Sequence, residues 1–162
     1  MTRTGAADPY RDTDVIDSRA PRFNQATIGV LSVVAVLTGW WWLLALLALQ
    51  LAVGLTFGRR FCLPCVAYFT LIQPRFGEGR LEDARPPRAA NIVGFAFLTL
   101  AAIAYAFDQA TVGLILGGLV AVLALLAAVT GFCTGCAMYR LGCRLRGRPF
   151  VSCPIPQAPL PR

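Results

Sequence analysis

The amino-acid sequence predicts an all-α integral membrane protein whose four transmembrane helices form two tandem hairpins. Its 162 residues are 57% hydrophobic and 14% charged, so a soluble fold would have more core than its polar surface could cover. Two apolar runs, residues 26–57 and 91–133, are each too long for one crossing and suit two short ones. A turn signal interrupts each run, so each run is expected to form a helical hairpin.

The two turn signals differ in composition. In the first run, Gly39 is followed by tryptophans at residues 40–42. Glycine breaks a helix easily, and tryptophan favours the membrane interface. In the second run, Asp108 and Gln109 interrupt the apolar sequence. Asp108 is therefore expected to be the only charged side chain on the outer side of the membrane.

The distribution of charge predicts the orientation of the chain. A net charge of +7 would suit nucleic-acid binding in a soluble domain. Here, however, all fifteen basic residues are arginines, and they lie in the N-terminal tail, in residues 58–90 or after residue 139. This positive-inside pattern places both termini, the central loop and all six cysteines on the cytoplasmic side, and it disfavours a nucleic-acid role.

Three regions follow from this pattern. Residues 1–22 are polar and show no cleavable signal peptide, which predicts a flexible cytoplasmic arm. Residues 23–146 form the predicted four-helix membrane domain. Residues 147–162 are rich in proline and form the predicted C-terminal tail.

A short interfacial helix is expected after each hairpin. The first is an apolar segment at residues 66–73, which Pro74 is expected to end, and a charged loop facing the cytosol follows it up to residue 88. The second is residues 139–146, where arginines and leucines occupy different helix faces.

An internal repeat relates the predicted halves, which span about residues 21–76 and 87–146. A Pro-Arg pair precedes each hairpin, an asparagine lies just inside it, and each hairpin ends in the pattern F-C-x-x-C-x-x-Y. The repeated positions are Pro21, Arg22, Asn24 and residues 61–68 in the first half, and Pro87, Arg88, Asn91 and residues 132–139 in the second. Two crossings return the chain to its starting side, so both cysteine motifs should lie at the same face.

The two motifs contain the pairs Cys62 with Cys65 and Cys133 with Cys136, which suit three kinds of chemistry. Structural disulfides are disfavoured because the cytoplasm is reducing. Redox-active or sulfur-transferring dithiols remain, and so does a structural zinc site in which all four cysteines are metal ligands. The spacing of the motifs does not discriminate between these two.

The neighbours of the first pair favour a reactive thiolate. Pro64 suits the first turn of a helix, which would place Cys62 at the positive end of the helix dipole, and Arg59 and Arg60 add positive charge. Metal binding also needs deprotonated sulfur, so the alternative of a zinc site stays open.

These observations favour redox or sulfur-transfer chemistry, with Cys62 or Cys133 as the attacking sulfur and the second cysteine of each pair as the resolving one. Cys143 follows Cys136 by two helical turns, and Cys153 lies in the tail, where it suits a mobile resolving thiol. Hydrolase chemistry is disfavoured because the chain has no histidine and no suitable carboxylate pair. A transporter is disfavoured because the predicted transmembrane helices contain few polar groups and no intramembrane charge.

Three segments of the sequence resemble a known family. They are Pro-Arg-Phe-Asn-Gln at residues 21–25, Glu-Asp-Ala-Arg-Pro-Pro-Arg at residues 82–88, and Gly-Phe-Cys-Thr-Gly-Cys-Ala-Met-Tyr at residues 131–139. Over about residues 20–146 the chain resembles the bacterial membrane proteins of domain-of-unknown-function family 4395. The resemblance implies a small multipass protein of the bacterial inner membrane, without established activity, that is often encoded beside or fused to thioredoxin-like or rhodanese-like proteins.

The leading hypothesis is therefore a membrane protein whose cytoplasmic dithiols exchange electrons or sulfur with a soluble thioredoxin-like or rhodanese-like partner and need no cofactor. The alternative is a non-enzymatic membrane protein in which zinc, held by the four cysteines, joins the two hairpins. The sequence does not decide whether the protein is an enzyme.

Overall fold

The computed structural model describes residues 8, 10, 11, 14–131, 141, 142, 144 and 145, and they form a helical bundle with a small sheet at one end. The elements in chain order are β1 (Val15–Asp17), α1 (Arg19–Thr38), α2 (Trp41–Phe57), a 3-10 turn (Arg59–Phe61), α3 (Leu63–Ala67), a π turn (Tyr68–Ile72), α4 (Gln73–Phe76), β2 (Leu81–Asp83), α5 (Arg85–Ala106) and α6 (Ala110–Thr130).

Three of the four apolar helices, α1, α5 and α6, are long and apolar enough to cross a membrane. Helix α2 is also apolar but has 17 residues. At about 1.5 Å per residue it spans roughly 25 Å, somewhat less than the ~30 Å hydrocarbon thickness of a typical bilayer.

Both predicted turns lie where the sequence indicates. Helix α1 ends at Thr38, Gly39 adopts a left-handed conformation with φ of 72°, and α2 begins at Trp41. Between α5 and α6, Asp108 has φ of 58°, and aspartate is one of the few non-glycine residues that tolerate this region.

The four long helices interleave. Helix α1 packs most extensively against α6, and α2 packs most extensively against α5, whereas α1 and α2 touch each other much less. The shared core contains leucines and alanines from α1, α2, α5 and α6, among which Leu44 and Leu98 are fully buried. Helices α5 and α6 also pack on each other, so the two runs share one core and neither half buries all of its apolar surface alone.

Close helix contacts depend on small residues at two positions. A Cβ atom at Gly29 would lie 2.7 Å from the side chain of Leu125, so α1 and α6 approach too closely for any larger residue there. A Cβ atom at Gly117 would lie 3.1 Å from Val36 and 3.3 Å from Leu44. Gly117 therefore allows α6 to pack closely against α1 and α2.

The outward faces of these helices are apolar. Large hydrophobic side chains, such as Leu49, Ile115 and Val122, are more than half exposed on the surface of the bundle. A chain in water rarely exposes so much contiguous apolar surface, and lipid is the solvent that suits it.

The segment between α2 and α5 differs from the prediction. The helical segment that starts at Leu63 continues past Pro74 and ends at Phe76, before Gly77 with φ of 71°. The chain accommodates Pro74 because a π turn precedes it, and proline is tolerated in the first turn of the helix that follows.

A two-stranded antiparallel sheet also departs from the sequence prediction. β1 pairs with β2, with Ile16 opposite Glu82, so part of the predicted flexible arm and part of the predicted charged loop are ordered against each other. The predicted boundary at residue 22 falls inside α1, which begins at Arg19. Strands this short give little sequence signal because their stability comes from the partner strand and from the contacts of their side chains.

Candidate dithiol site

Cys62 and Cys65 lie at the end of the bundle where α2 ends and α1 begins. Both are buried, with 6% and 8% of their surface exposed. They belong to a small apolar cluster, separate from the core of the bundle, whose other members are Ile16, Ala20, Tyr68 and Phe69. Residues from β1 and from the start of α1 thus cover the pair.

The local backbone explains why the two sulfurs meet. Gly58, with φ of 87°, ends α2, and a 3-10 turn leads to Cys62, which is extended with φ of −83° and ψ of 102°. Helix α3 starts next, with Pro64 in its first turn, and the carbonyl of Cys62 accepts the Val66 N–H at 2.9 Å. The prediction that Cys62 precedes a helix with proline in its first turn is confirmed.

The two thiols are free and directly hydrogen-bonded. The Sγ of Cys65 donates to the Sγ of Cys62 over 2.6 Å. This hydrogen bond, together with the backbone N–H of Cys65 and the side chain of Gln50, outweighs burial and lowers the pKa of Cys62 to about 7. The same hydrogen bond, together with burial, raises the pKa of Cys65 strongly, although Arg59 opposes the rise. Cys62 is therefore the more acidic thiol of the pair, and Cys65 keeps its proton.

Helix α2 and helix α1 supply the surroundings of Cys62. A Cβ atom at Gly54 would lie 3.3 Å from the Cβ of Cys62, so the glycine allows the cysteine to pack directly on α2. The Sγ of Cys62 lies 3.9 Å from the Oδ1 of Asn24, to which its thiol donates. The Nδ2 of Asn24 in turn donates to the Oδ1 of Asn91 at 3.4 Å, which links the dithiol to α5.

The buried carboxylate of Asp17 holds β1 in place over the two cysteines. Asp17 is 2% exposed and accepts three hydrogen bonds: from the Tyr68 hydroxyl at 2.9 Å, from the Gly79 N–H at 2.9 Å and from the Arg19 N–H at 3.0 Å. Burial, and after it the neighbouring Asp17, raises the pKa of Tyr68, so this phenol stays protonated and continues to donate. Asp17 thus links β1 to the π turn and to the loop that precedes β2.

Arginines hold the same end of the molecule together. The Nη1 of Arg59 donates to the Val15 carbonyl at 2.7 Å, so this residue binds β1 as well as adding positive charge near Cys65. Arg60 lies over the ring of Tyr10, at 5.9 Å from the ring centre. Of the two arginines predicted to add positive charge near the pair, Arg59 acts on Cys65, and Arg60 contacts Tyr10.

The family model described as a domain of unknown function, DUF4395, matches residues 16–144. The chain belongs to the DUF4395 family. The resemblance predicted from the sequence is confirmed, and the matched range begins at β1 and contains both cysteine pairs of this DUF4395 domain. No curated protein and no solved structure matches the chain.

The structure describes one of the two predicted pairs of the DUF4395 domain. Cys133 and Cys136 lie outside the described residues, as do Cys143 and Cys153. Within the part of the chain that is described, no three side chains of the metal-binding kinds lie together. Cys62 and Cys65 are thus brought together as predicted, while the proposed four-cysteine arrangement stays a prediction.

Several residues of the site were not identified from the sequence alone. Tyr68 is part of the repeated cysteine motif, and Asn24 is one of the repeated asparagines. The repeat therefore marked both residues, although no role in the site was predicted for them. Asp17 gave no such signal because it is one of several acidic residues in a polar segment. Its role depends on burial, which only the packing of β1 against the π turn creates.

Proposed function

We propose that this DUF4395 protein is a membrane-embedded dithiol protein that exchanges electrons or sulfane sulfur with a soluble thioredoxin-like or rhodanese-like partner. One observation carries the proposal: the sulfurs of Cys62 and Cys65 are 2.6 Å apart, and their mutual hydrogen bond makes one a nucleophile and the other a proton donor. A pair with one thiolate near neutral pH is what exchange chemistry needs.

The exchange proceeds in two displacements. The Cys62 thiolate attacks the partner's disulfide, forms a mixed disulfide and releases the partner's first thiolate. Cys65 then gives up its proton and attacks the sulfur of Cys62, which releases the partner's second thiolate and leaves a Cys62–Cys65 disulfide. Protonation of both thiolates gives the reduced partner. In the reverse reaction, a partner dithiol passes its electrons to the Cys62–Cys65 disulfide.

Sulfur transfer uses the same two cysteines. The Cys62 thiolate attacks the outer sulfur of a partner persulfide, which gives a Cys62 persulfide and the partner thiol. Attack by Cys65 on the inner sulfur then forms the disulfide and releases hydrosulfide, which carries the proton that Cys65 loses. The partner class in both reactions comes from the family resemblance.

The proposal includes a topology. All four apolar helices cross the inner membrane, and both termini and both dithiols face the cytoplasm. The arginine distribution supports this orientation. The 17 residues of α2 are long enough to cross the membrane if the bilayer thins slightly or if flanking residues reach to the interface.

The proposal also extends the chemistry to a second, repeated pair, Cys133 and Cys136. Two contacts support the repeat. The Nη2 of Arg88 donates to the Leu55 carbonyl at the end of α2, at 3.3 Å, and the guanidinium of Arg22 lies against Gly131 at the end of α6. The arginine near the start of each half thus lies at the C-terminal end of a helix of the other half, where a positive charge is favoured.

Thiol labelling tests the proposal. In membranes, the mass added by a maleimide to the peptides that contain Cys62 and Cys65 should fall after mild oxidation and recover after reduction. Alanine at Cys62, Cys65, Cys133 and Cys136 should abolish this response while the protein still inserts. Cys153→Ser, which leaves both pairs intact, is the control, and identical labelling under every redox condition would refute the proposal.

The zinc-bound alternative uses the same sulfurs, because a lowered thiol pKa also favours metal binding. Metal analysis of the purified protein separates the two functions. About one zinc per chain, lost in Cys62→Ala, would support a structural metal site made of all four cysteines. Metal-free protein with oxidisable cysteines would support the exchange function.

A further inference from the structure

The helical segment that carries Cys65 is apolar on two faces. It runs from α3 through the π turn to α4. Its inner face contributes Cys65, Tyr68 and Phe69 to the cluster around the dithiol. On the other side lies an outer stripe, which consists of the exposed residues Leu63, Thr70, Leu71 and Pro74. The segment therefore presents a second apolar surface away from the bundle.

The outer stripe contains no charge, and its one hydroxyl is satisfied within the helix. Thr70 donates to the Val66 carbonyl at 2.8 Å. Residues 61–74 include no charged side chain, and Arg75 is the first that follows. A helix face that meets water normally carries charged and polar residues. The composition of the outer stripe therefore suits lipid better than water.

Contacts with α1 place the segment at the level of the membrane surface. The ring of Tyr68 lies 6.1 Å from the ring of Phe23, in the first turns of α1. Cys62, which precedes the segment, contacts Asn24 one residue further along. The same part of α1 carries Arg22. Because a charged side chain is costly in hydrocarbon, a bundle in lipid keeps this end among the headgroups.

An aromatic pair joins the outer stripe to the outward surface of α2. Phe57 is the last residue of α2, and its ring lies 5.8 Å from the ring of Phe61 in the 3-10 turn. Both rings are more than half exposed, as is Leu49 earlier on α2. The apolar surface that the bundle presents to lipid thus continues past the end of α2 toward Leu63. Lipid suits the first part of this surface, so it is the occupant that suits the rest.

We propose that residues 61–76 form an anchor that lies in the membrane surface at the dithiol end of the bundle. Phe61 and the outer stripe enter the acyl chains just below the headgroups, and Arg75 binds the phosphate of an anionic phospholipid such as phosphatidylglycerol. A guanidinium group suits this role because its paired N–H groups match the oxygens of a phosphate. The anchor requires a bundle in lipid but no dithiol chemistry, so it can fail while the proposed exchange function stands, and the reverse also holds.

Cross-linking tests the anchor in the native protein. The full chain is placed in nanodiscs of phosphatidylcholine with a minor share of phosphatidylglycerol and a lipid tracer that carries a diazirine near the top of its acyl chain. Trypsin releases residues 61–75 as one peptide, because Arg60 and Arg75 are its cleavage sites. After illumination, mass spectrometry should find lipid adducts on this peptide and few on residues 12–19, the peptide that contains β1. Absence of adducts from residues 61–75, or equal adducts on both peptides, would overturn the inference.

Fluorescence quenching distinguishes lipid from a protein partner on the same surface. Bimane is attached to Leu71→Cys in a protein whose native cysteines are all serine, with Glu78→Cys, in the connection to β2, as the matched control. A nitroxide on the lipid acyl chain should quench bimane at Leu71→Cys several-fold more than at Glu78→Cys, and iodide in the water should show the opposite order. Protection of Leu71→Cys from both quenchers would show that protein, such as a second copy of the chain, covers the outer stripe. Quenching of Leu71→Cys by iodide alone would show that the stripe faces water, and either result would overturn the anchor.

Arg75→Gln tests the contact with phosphate. Electron paramagnetic resonance measures how strongly spin-labelled phosphatidylglycerol associates with the protein relative to spin-labelled phosphatidylcholine. The preference for phosphatidylglycerol should fall by up to about fivefold, which corresponds to the ~1 kcal/mol that one arginine contributes near anionic lipid. Arg11→Gln is the matched control, because it removes the same charge from an exposed position where Arg11 pairs with Asp8. A preference that is equal in Arg75→Gln and in the native protein would overturn the assignment of Arg75 and the selectivity for anionic lipid.

Discussion

At the scale of single residues, the unequal acidity of Cys62 and Cys65 defines the site. Neither thiol is exposed, so solvent does not make one of them more acidic than the other. The difference comes from their hydrogen bond, which stabilises the anion at Cys62 and holds the proton on Cys65. Removing either sulfur should therefore change the acidity of the other.

The first prediction concerns the pH dependence of alkylation. Because the pKa of Cys62 is lowered, the thiolate is lost as the pH falls through about 7, and the rate of alkylation by iodoacetamide should rise with a midpoint near pH 7. Cys65→Ala removes the main cause of the lowering and should shift this midpoint toward the ~8.5 of an ordinary cysteine. Peptide mass spectrometry follows Cys62, and the protein in denaturant is the control. An unchanged midpoint in the variant would contradict the role of Cys65.

The second prediction concerns Gly54, on which Cys62 packs. Gly54→Val adds a Cβ atom 3.3 Å from that of Cys62, together with two methyl groups, and should push the cysteine away from α2. We expect a destabilisation of about 1–3 kcal/mol from overpacking, seen as a lower thermal midpoint, and a changed alkylation profile at Cys62. Gly118→Val is the matched control because nothing lies within 4 Å of its added Cβ. Equal effects of the two substitutions would show that Cys62 does not depend on this contact.

At the scale of elements, the β1–β2 sheet and the start of α1 form a cover over the dithiol. The cover is held mainly through Asp17, whose three hydrogen-bond donors come from three different segments, and through Arg59, which binds Val15. A two-stranded sheet is weak by itself, so this cover can open while the rest of the helical bundle stays folded. In the proposed exchange, residues 15–20 must move aside before a partner reaches Cys62.

The third prediction follows from that role of Asp17. Asp17→Asn replaces one acceptor oxygen by an N–H₂ group that faces donors, so the cover should loosen and the protein should lose about 1–3 kcal/mol of stability. Maleimide labelling of native Cys62 and Cys65 should become several-fold faster. Asp14→Asn, at an exposed position next to the same strand, is the control. A labelling rate that is the same in both variants would argue against the cover.

At the scale of the whole molecule, the interleaved helices make the bundle one unit. Because α1 packs on α6 and α2 on α5, each half completes the core of the other. The contacts of Arg22 and Arg88 join the halves at the same end, where the dithiol lies. The surroundings of the dithiol therefore include contacts between the two halves.

The fourth prediction tests the four-span topology. In a variant with all native cysteines replaced by serine, Trp40→Cys and Asp108→Cys should react with a membrane-impermeant maleimide from one side of the membrane, because both lie at the turns of the predicted hairpins. Glu78→Cys, in the connection between α4 and β2, should react from the opposite side. Labelling of Trp40→Cys from the same side as Glu78→Cys would show that α1 and α2 do not cross.

The sequence alone determined the positions of the long helices, both turns and the dithiol motif, because hydropathy, turn-forming residues and cysteine spacing are local properties of the chain. The tertiary structure decided which residues surround the sulfurs: Tyr68 meets Asp17 across 51 positions of sequence, and Asn24 meets Asn91 across 67. It also decided that α1 packs mainly on α6 and α2 on α5. Burial and hydrogen-bond partners depend on how distant segments pack, and the local pattern of a sequence does not contain that information.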